Sequence, residues 1–364
     1  MARQHDADVI ICGAGPAGHA LATLLAPRMR VQVVERRASP GNGPHIGESL
    51  PGAAAPLLHR LGVLEHFRLA GHPERGPAIA VWDTETPVWK DAISDPAGPG
   101  WYLDRRGFEL MLRRRALQAG AGLAQGCRQT RIGRYSGGWQ LDTGSTLYRA
   151  PVLVDATGRS GGIARQLGLR KTAADPLLCL YSFLASPPNA PDRAMRIQAD
   201  AHGWWYTVPL PLGRRVLAYH LDTDNPLWRQ LKRPAQFLAR ARQHPLLAEC
   251  LEGLVPGRMQ CRAAGTVLLN VDELHQAGDD FLAIGDALFA FDPISSQGLF
   301  HSLASAASAA KAIEAGSADA LRDHRREMQA VAEHYLWHWQ GTYRGPSRFS
   351  RYPFWQRRQQ LPGP

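Results

Sequence analysis

Residues 7–18 read ADVIICGAGPAG, and the next apolar run ends as VVE at residues 33–35. An apolar strand, a Gly-x-Gly-x-x-Gly turn, an alanine-rich helix and a second strand ending in an acid predict a dinucleotide-binding β-α-β unit of Rossmann type. In this unit Gly13 allows the sharp turn, Gly15 lets the backbone approach a pyrophosphate, and Gly18 lets the helix pack on the sheet. The helix N-terminus then offers free N–H groups to the phosphates.

The acid at the end of the second strand is Glu35. Its carboxylate would accept hydrogen bonds from ribose hydroxyls, which argues against a 2′-phosphate at that point. We assign its neighbour Arg36 to the same cofactor site. The alternative is a glycine-rich turn with a purely structural role.

The chain has 364 residues, and its length and composition are typical of an enzyme with two domains. No apolar stretch reaches the roughly 20 residues that a membrane span needs, and the N-terminus lacks the features of a signal peptide. We therefore expect a cytoplasmic protein without a membrane span. The five cysteines contain no Cys-x-x-Cys pair, which favours reduced thiols over disulfides or a metal site.

The net charge of +10 comes mainly from arginine, since only four residues are lysine. We interpret this as a compositional bias and expect no nucleic-acid partner. Residues 322–364 are basic, with interleaved aromatic residues. Such a segment could clamp a nucleic acid. The favoured alternative is a helix plus an extended segment that packs its aromatic side chains on the body and leaves arginine outward for an anionic ligand or an acidic partner.

Periodicity and turn residues predict the main elements of secondary structure. Within 177–222 we expect a strand pair, 204–210 and 216–221, around the turn at 211–213. The predicted helices cover 54–68, 105–119, 233–252 and a run from about 299, and the other predicted strands lie in 76–90, 152–158 and 281–286.

Two further motifs follow the first glycine turn. Residues 155–160 read DATGRS, and residues 285–287 read GDA, followed by DPISSQG at 292–298. In this order the motifs resemble the FAD-dependent monooxygenases of the aromatic-hydroxylase and halogenase superfamily, and the resemblance covers nearly the whole chain. The alternative is that each turn is only a loop.

This resemblance implies an α/β fold: a discontinuous Rossmann-like FAD-binding domain, an inserted β-rich substrate domain and a C-terminal helical segment. The expected boundaries are 1–75, 101–170 and 265–330 for the FAD-binding domain, 76–100 and 171–264 for the substrate domain, and 331–364 for the basic, aromatic segment.

The resemblance also implies roles around the cofactor. Asp286 is expected to contact the flavin ribityl chain, and Pro293, Gln297 and Gly298 belong to the loop along the flavin ring. The following helix would point its positive end at the ring edge, where negative charge accumulates on reduction. Arg106 is expected to reach the FAD phosphates. Its neighbour Arg105 is a second candidate for that role. The alternative is that both side chains lie on a solvated helix face and bind no phosphate.

Two stretches resemble halogenases and their relatives. Residues 47–51, GESLP, are similar to a Gly-Glu-x-x-x-Pro segment, and residues 203–209, GWWYTVP, are similar to a Trp-x-Trp-x-Ile-Pro element. We assign four residues from these stretches to the substrate site, namely Trp204, Tyr206, Ser49 and Pro209. The alternative is that Trp204 and Tyr206 are core residues on one strand face.

Two departures from the halogenases argue against chlorination. The acid expected after Asp-Pro-x is replaced by Ser295, and residues 76–82, GPAIAVW, lack the expected lysine. The chain therefore resembles most the tryptophan-modifying flavoproteins of the LodB/GoxB/QhpG type. This resemblance implies hydroxylation of a tryptophan inside a precursor protein, during biogenesis of a quinone cofactor.

The implied chemistry uses FAD and O₂. Reduced FAD and O₂ give a C4a-hydroperoxide, which an electron-rich ring attacks. Glu48 is our candidate for charge stabilisation or proton removal, with a loop-binding role as the alternative. Ser296, with Ser295, could bind the peroxide or cap the following helix. Further candidate bases are His45, His220 and His301.

No second Gly-x-Gly-x-x-Gly motif is present for a nicotinamide. The electrons would come from NAD(P)H bound transiently or from a separate flavin reductase. Three other functions stay open: a hydroxylase or epoxidase of a small aromatic metabolite, an FAD-dependent reductase of isoprenoid chains, and a flavin-binding regulator without enzyme activity.

Overall fold

The computed structural model describes residues 3–39, 46–128, 130–187 and 192–360. The strands are β1 (Arg3–Asp6), β2 (Val9–Cys12), β3 (Val31–Glu35), β4 (Ser49–Leu50), β5 (Ala78–Val81), β6 (Val88–Lys90), β7 (Trp101–Tyr102), β8 (Gly122–Gln125), β9 (Arg131–Tyr135), β10 (Gly138–Asp142), β11 (Thr146–Ala150), β12 (Val152–Asp155), β13 (Lys171–Ala173), β14 (Leu177–Ala185), β15 (Met195–Asp200), β16 (Gly203–Leu210), β17 (Arg214–Asp222), β18 (Val255–Pro256), β19 (Gln260–Ala263), β20 (Val267–Leu269), β21 (Phe281–Ala283) and β22 (Phe289–Ala290).

The helices are α1 (Pro16–Leu25), α2 (Ala55–Arg60), α3 (Leu64–Leu69), α4 (Arg105–Gln118), α5 (Gly162–Gln166), α6 (Leu227–Gln230), α7 (Pro234–Ala241), α8 (Pro245–Ala248), α9 (Leu274–Ala277), α10 (Gly298–Ala315), α11 (Ala318–Arg344) and α12 (Pro353–Gln359). Short 3₁₀ turns include Gly285–Ala287 and Pro293–Ser295.

A five-stranded parallel sheet forms the centre of the cofactor-binding part, in the order β21-β12-β2-β3-β8. Both of its faces are buried, so β2 is apolar at every position. Val9 and Ile11 face the core that includes α1 and α10, whereas Ile10 and Cys12 face the core on the other side. This arrangement confirms the predicted Rossmann-like unit.

The largest sheet is mostly antiparallel, in the order β18-β14-β17-β16-β15-β5-β6, with β19 also paired to β14. The predicted strand pair is confirmed as β16 and β17, and the antiparallel pair β5 and β6 confirms the strands predicted within 76–90. One face carries Trp204 and Tyr181 in a core shared with the cofactor-binding part. The opposite face carries Trp205 and Tyr219, packed against α7 and α8.

Two helices that we predicted as continuous are each divided into two shorter helices. The helix expected over 54–68 divides into α2 and α3, because Gly62 adopts a left-handed conformation with φ +68° and ends α2. The helix expected over 233–252 divides into α7 and α8, because Pro245 cannot continue a helix. The helix predicted over 105–119 is confirmed as α4, and the alanine-rich helix as α10.

The C-terminal segment is helical, and α12 replaces the extended stretch that we expected. Trp339, Phe354 and Trp355 are buried, as the packing interpretation requires, but Trp337 is 64% exposed. The expectation of outward arginine is wrong for Arg358, which is fully buried because it pairs with two buried carboxylates, Asp175 and Asp222.

The α/β fold class and the helical C-terminal segment are thus confirmed. The domain boundaries stay predictions, and the boundary after residue 330 falls inside α11. Among the described residues, no helix is long and apolar enough to cross a membrane.

Candidate functional site

The first glycine turn joins β2 to α1 and gives each glycine a separate role. Gly13 has φ +113°, and a Cβ there would lie 2.2 Å from the carbonyl oxygen of Ala156. A Cβ on Gly18 would lie 2.0 Å from the carbonyl oxygen of Gly13. A Cβ on Gly15 would meet no described atom within 4 Å. Gly13 and Gly18 therefore permit close backbone packing, while Gly15 leaves open space in front of the helix.

The N-terminus of α1 faces this open space. Gly15 is its N-cap residue and Pro16 its first helical residue, and no side chain of the described chain caps it. Free N–H groups and the helix dipole therefore favour an anion at this point. Glu35 lies beside the turn and accepts hydrogen bonds from the backbone N–H groups of Ala14 and Arg37, each at 2.8 Å.

A cavity of about 770 Å³ opens beside this helix N-terminus. Its lining includes the glycine turn, Glu35 and seven arginine residues: Arg36, Arg37, Arg106, Arg113, Arg128, Arg131 and Arg165. This excess of positive charge suits a pyrophosphate. We call the glycine turn and this cavity the adenosine end.

The structure separates the two arginine candidates at the start of α4. Arg105 donates hydrogen bonds to Glu109 and to the carbonyl oxygen of Gly47, both at 2.8 Å. Arg106 lines the cavity instead. Phosphate binding by Arg106 stays a prediction, but its position suits that role better than the position of Arg105.

Asp155 of the DATGRS motif has a structural role. Its fully buried carboxylate accepts hydrogen bonds from the backbone N–H groups of Thr157, Ile163 and Ala164 and from the Thr157 hydroxyl. These bonds hold the turn that follows β12 and the start of α5. Thr157 itself lines the cavity, a position that the glycine motifs alone did not identify.

A second open helix N-terminus lies at α10. Its N-cap residue is Gln297, which like the rest of the described chain provides no side-chain cap, and a Cβ on Gly298 would meet no described atom within 4 Å. The Ser295 hydroxyl donates to the carbonyl oxygen of Asp292 at 2.8 Å and accepts from the backbone N–H of Gln297 at 3.3 Å. It therefore binds the residue at the start of α10 without occupying the N-cap position. Ser296 has φ +51°, a strained left-handed conformation.

The residues predicted to contact the flavin lie around α10. Pro293 begins the 3₁₀ turn before it, Gln297 is exposed, and Asp286 lies in the turn after β21. None of these three lines the cavity of the adenosine end. Burial raises the pKa of Asp286. We call Glu48, Tyr206, Asp286 and residues 292–298 the ring end.

Glu48 is the most unusual group of the ring end. Its side chain is 2% exposed, and its Oε1 atom has no hydrogen-bond partner among the described residues. Burial raises its pKa from 4.5 to about 7. Its charge also raises the pKa values of Tyr206 and Tyr181, after the larger effect of burial, so the carboxyl group lies near the large sheet.

The other predicted substrate residues have different surroundings. Trp204 is 1% exposed and stacks on His220, with ring centroids 3.7 Å apart. The Ser49 hydroxyl accepts a hydrogen bond from Arg75 at 3.0 Å. Tyr206 and Pro209 are half-buried on β16. Substrate contact by these residues stays a prediction, and Trp204 is enclosed by protein.

The candidate histidines are placed less favourably than Glu48 for proton transfer. Burial lowers the pKa of His220 to about 3 and that of His301 to about 4. A group with such a pKa stays neutral and accepts a proton poorly near pH 7. His45 lies outside the described residues.

The sequence interpretation missed the contribution of α11. Tyr335, Trp339 and Tyr343 all form hydrogen bonds to Asp292, the residue that begins the loop before α10. Their spacing of four residues places them on one helix face. This spacing was the available signal, although it did not identify their partner.

The fold and the two open helix N-termini define a dinucleotide-binding α/β protein, and the space at Gly15 and the arginine-lined cavity fit an FAD pyrophosphate. Residues 6–324 match the FAD binding domain family, so the chain belongs to this family. The match over residues 6–324 confirms the predicted family and supports FAD as the cofactor.

Similar proteins agree with this assignment. LodB from Marinomonas mediterranea, assigned as an FAD-dependent oxidoreductase, is 26% identical over an alignment of 366 positions that covers 96% of each chain. The peptidyl tryptophan dihydroxylase QhpG, described as essential for tryptophylquinone cofactor biogenesis, is 25% identical with a TM-score of 0.72 and covers 98% of this chain and 80% of its own. The myxobacterial chondrochloren halogenase CndH shares the fold, with a TM-score of 0.83 at 20% identity, over 98% of this chain and 86% of its own.

The protein is therefore an FAD-dependent oxidoreductase of the flavin-dependent hydroxylase and halogenase superfamily. This confirms the family resemblance that the sequence motifs indicated. The substrate and the source of electrons are not part of this assignment.

Proposed function

We propose that the protein is an FAD-dependent monooxygenase that hydroxylates a tryptophan side chain within a polypeptide. The observation that carries the proposal is the buried Glu48 carboxyl group, whose Oε1 atom is unpartnered within the described chain. Its charge raises the pKa of Tyr206 on the large sheet, after the larger effect of burial. The similarity to QhpG supports a peptidyl tryptophan as the substrate class.

The reaction needs a cofactor that activates oxygen. Bound reduced FAD would supply two electrons, so that one atom of O₂ enters the aromatic ring and the other leaves as water. Oxygen insertion places positive charge on the indole, and a ring proton must then leave. Glu48 can stabilise that charge as a carboxylate and accept the proton at Oε1, since its pKa of about 7 permits both states near neutral pH.

The positions of the lysine side chains argue for hydroxylation and against halogenation. Lys90 and Lys311 are exposed, and Lys232 lies over the ring of Trp228. Lys171 donates hydrogen bonds to the carbonyl oxygens of Arg159 and Asp286. Lys171 therefore contacts the ring end, but its ammonium group is held by these two carbonyl oxygens. Strand β5 contains no lysine at the position expected for a halogenase.

The electrons would come from a separate flavin reductase or from NAD(P)H. The purified protein, loaded with FAD and mixed with NADPH alone, should keep its flavin colour under the first alternative and lose it rapidly under the second. This measurement decides the electron source and leaves the oxygenation reaction to a separate test.

The substrate test uses three probes: a set of synthetic peptides with one central tryptophan each, free tryptophan, and indole. Reduced FAD is supplied by an added flavin reductase with NADH, and products are analysed by mass spectrometry. We expect a mass gain of one or two oxygen atoms on peptidyl tryptophan. The proposal fails if oxygen enters only free tryptophan or indole, or if reduced FAD is consumed with no oxygen gained by any probe.

A matched pair of variants connects this activity to the site. Glu48→Gln should lower the turnover of an accepted probe by roughly 10²-fold or more, because a general base is lost while the shape is kept. Glu65→Gln is the control, because Glu65 is exposed on α3 and does not line the cavity. Equal turnover of the two variants would show that Glu48 takes no part in the reaction.

A further inference from the structure

Helix α11 holds the start of the loop that leads into α10. The Asp292 carboxylate is 1% exposed. Its Oδ2 atom accepts hydrogen bonds from Trp339 Nε1 at 3.0 Å and from the Tyr343 hydroxyl at 2.9 Å. Its backbone N–H donates to the Tyr335 hydroxyl at 2.9 Å. Three side chains of one helix face therefore converge on a single residue of the ring end.

Tyr343 differs from the other two because it also binds the large sheet. Its hydroxyl accepts a hydrogen bond from Trp204 Nε1 at 2.9 Å while donating to Asp292. The Tyr343 hydroxyl thus donates its single proton in one hydrogen bond and uses a lone pair to accept the other. Trp204 is itself fixed by stacking on His220. The chain Trp204–Tyr343–Asp292 thus connects β16 to the loop before α10 through buried hydrogen bonds.

The loop has a physical need for such support. Ser296 holds a left-handed conformation with φ +51°, which persists only when the surroundings fix it. Asp292 also accepts the N–H of Ile294 at 2.9 Å, so its carboxylate shapes the turn directly. A change in the position of Asp292 would consequently move the loop and the open N-terminus of α10.

We propose that Tyr343 is a positioning residue for the flavin: its hydroxyl sets the loop 292–298 and the N-terminus of α10 relative to the large sheet. Packing alone does not require the hydroxyl, because a phenylalanine ring would fill the same space. The hydroxyl gives Asp292 a donor and gives Trp204 an acceptor. This inference concerns the FAD-binding protein itself and does not depend on the proposed substrate.

The reduction potential of bound FAD is the readout that separates positioning from packing. The positive end of α10 would stabilise the negative charge of a bound, reduced flavin. A displaced loop weakens this effect, so Tyr343→Phe should shift the potential to a more negative value. Trp204→Phe, which removes the N–H at the other end of the bridge, should shift it in the same direction.

The decisive comparison is a double-mutant cycle on the FAD-loaded protein. If one bridge carries both effects, the variant with both substitutions should show no larger shift than Tyr343→Phe alone. Tyr352→Phe is the control, because Tyr352 lies in the C-terminal segment and has no bond to Asp292 among the described contacts. We expect this variant to keep the wild-type potential.

Two results would overturn the proposal: an unchanged potential in Tyr343→Phe, or shifts that add in the double variant. If Tyr343→Phe does not fold, Trp204→Phe alone still tests the bridge by the same readout. Because no substrate is added, a negative result here is distinct from a failure to oxygenate peptides.

Discussion

The lining of the adenosine-end cavity comes from residues 12–166. The ring end, in contrast, depends on hydrogen bonds between residues as distant as Trp204, Asp292 and Tyr343. At the adenosine end, glycine residues remove side chains so that backbone and ligand can approach. At the ring end, large buried side chains hold a loop in place. The first region is thus determined mainly by local backbone geometry and the second by long-range packing.

The largest expected effect concerns the anchor of the C-terminal segment. Arg358→Met should lower the free energy of unfolding by about 3–5 kcal/mol, because Asp175 would stay buried without its cation. Asp222 would lose one of its two arginine partners and keep Arg357. Urea unfolding followed by circular dichroism measures this loss of stability. Arg351→Met, at an exposed position, is the matched control. Equal stability of the two variants would show that the buried ion pairs do not hold the segment.

The next effect separates two glycines of the adenosine end. Gly13→Ala should cost about 3 kcal/mol of unfolding free energy, from the positive φ and the contact with Ala156. Gly15→Ala should change the stability of the FAD-free protein by less than about 1 kcal/mol but weaken FAD binding. Thermal unfolding and FAD titration give the two quantities. Strong FAD binding by Gly15→Ala would contradict the pyrophosphate assignment.

The third effect is the pH dependence of stability at the ring end. The pKa of Glu48 is raised from 4.5 to about 7, so its contribution to stability is present at low pH and is lost as the pH rises through about 7. Glu48→Gln does not ionise there. Its stability relative to wild type should therefore increase by about 2–3 kcal/mol between about pH 4 and about pH 8. Urea unfolding at both pH values checks this, and a constant difference would refute the raised pKa.

The smallest effect is at the entrance of the adenosine end. Arg106→Ala should raise the Kd of FAD about tenfold, since one exposed cationic donor to the phosphates is lost. The effect should shrink at high salt because solvent ions screen exposed charges. Arg114→Ala on the same helix is the control, because Arg114 is exposed and does not line the cavity. A similar Kd for the two variants would exclude Arg106 as a phosphate ligand.

The glycine turn of the adenosine end could be predicted from the sequence because its motif lies within residues 13–35. The spacing of Gly13, Gly15 and Gly18 identifies the turn, and the acid at residue 35 identifies the end of the next strand. Helix α4 followed from the same local reasoning. The breaks at Gly62 and Pro245 were also local signals, and giving them more weight would have divided the two overlong helices.

The ring end could be predicted only in part. Glu48 was identified by its motif, but its burial and unpartnered oxygen depend on the packing of the large sheet against it. No local pattern links Tyr343 to Asp292, which are 51 residues apart. Arg358 was expected outside because arginine is seldom buried, and the buried partner Asp175 lies 183 residues away.

The C-terminal contacts have a consequence for the order of synthesis. Residues 12–166, which supply the lining of the adenosine-end cavity, leave the ribosome long before Tyr335, Trp339 and Tyr343. A nascent chain can therefore contain every described side chain that lines this cavity while Asp292 still lacks its three partners from α11. Only when α11 has been added can the loop before α10 reach its final geometry.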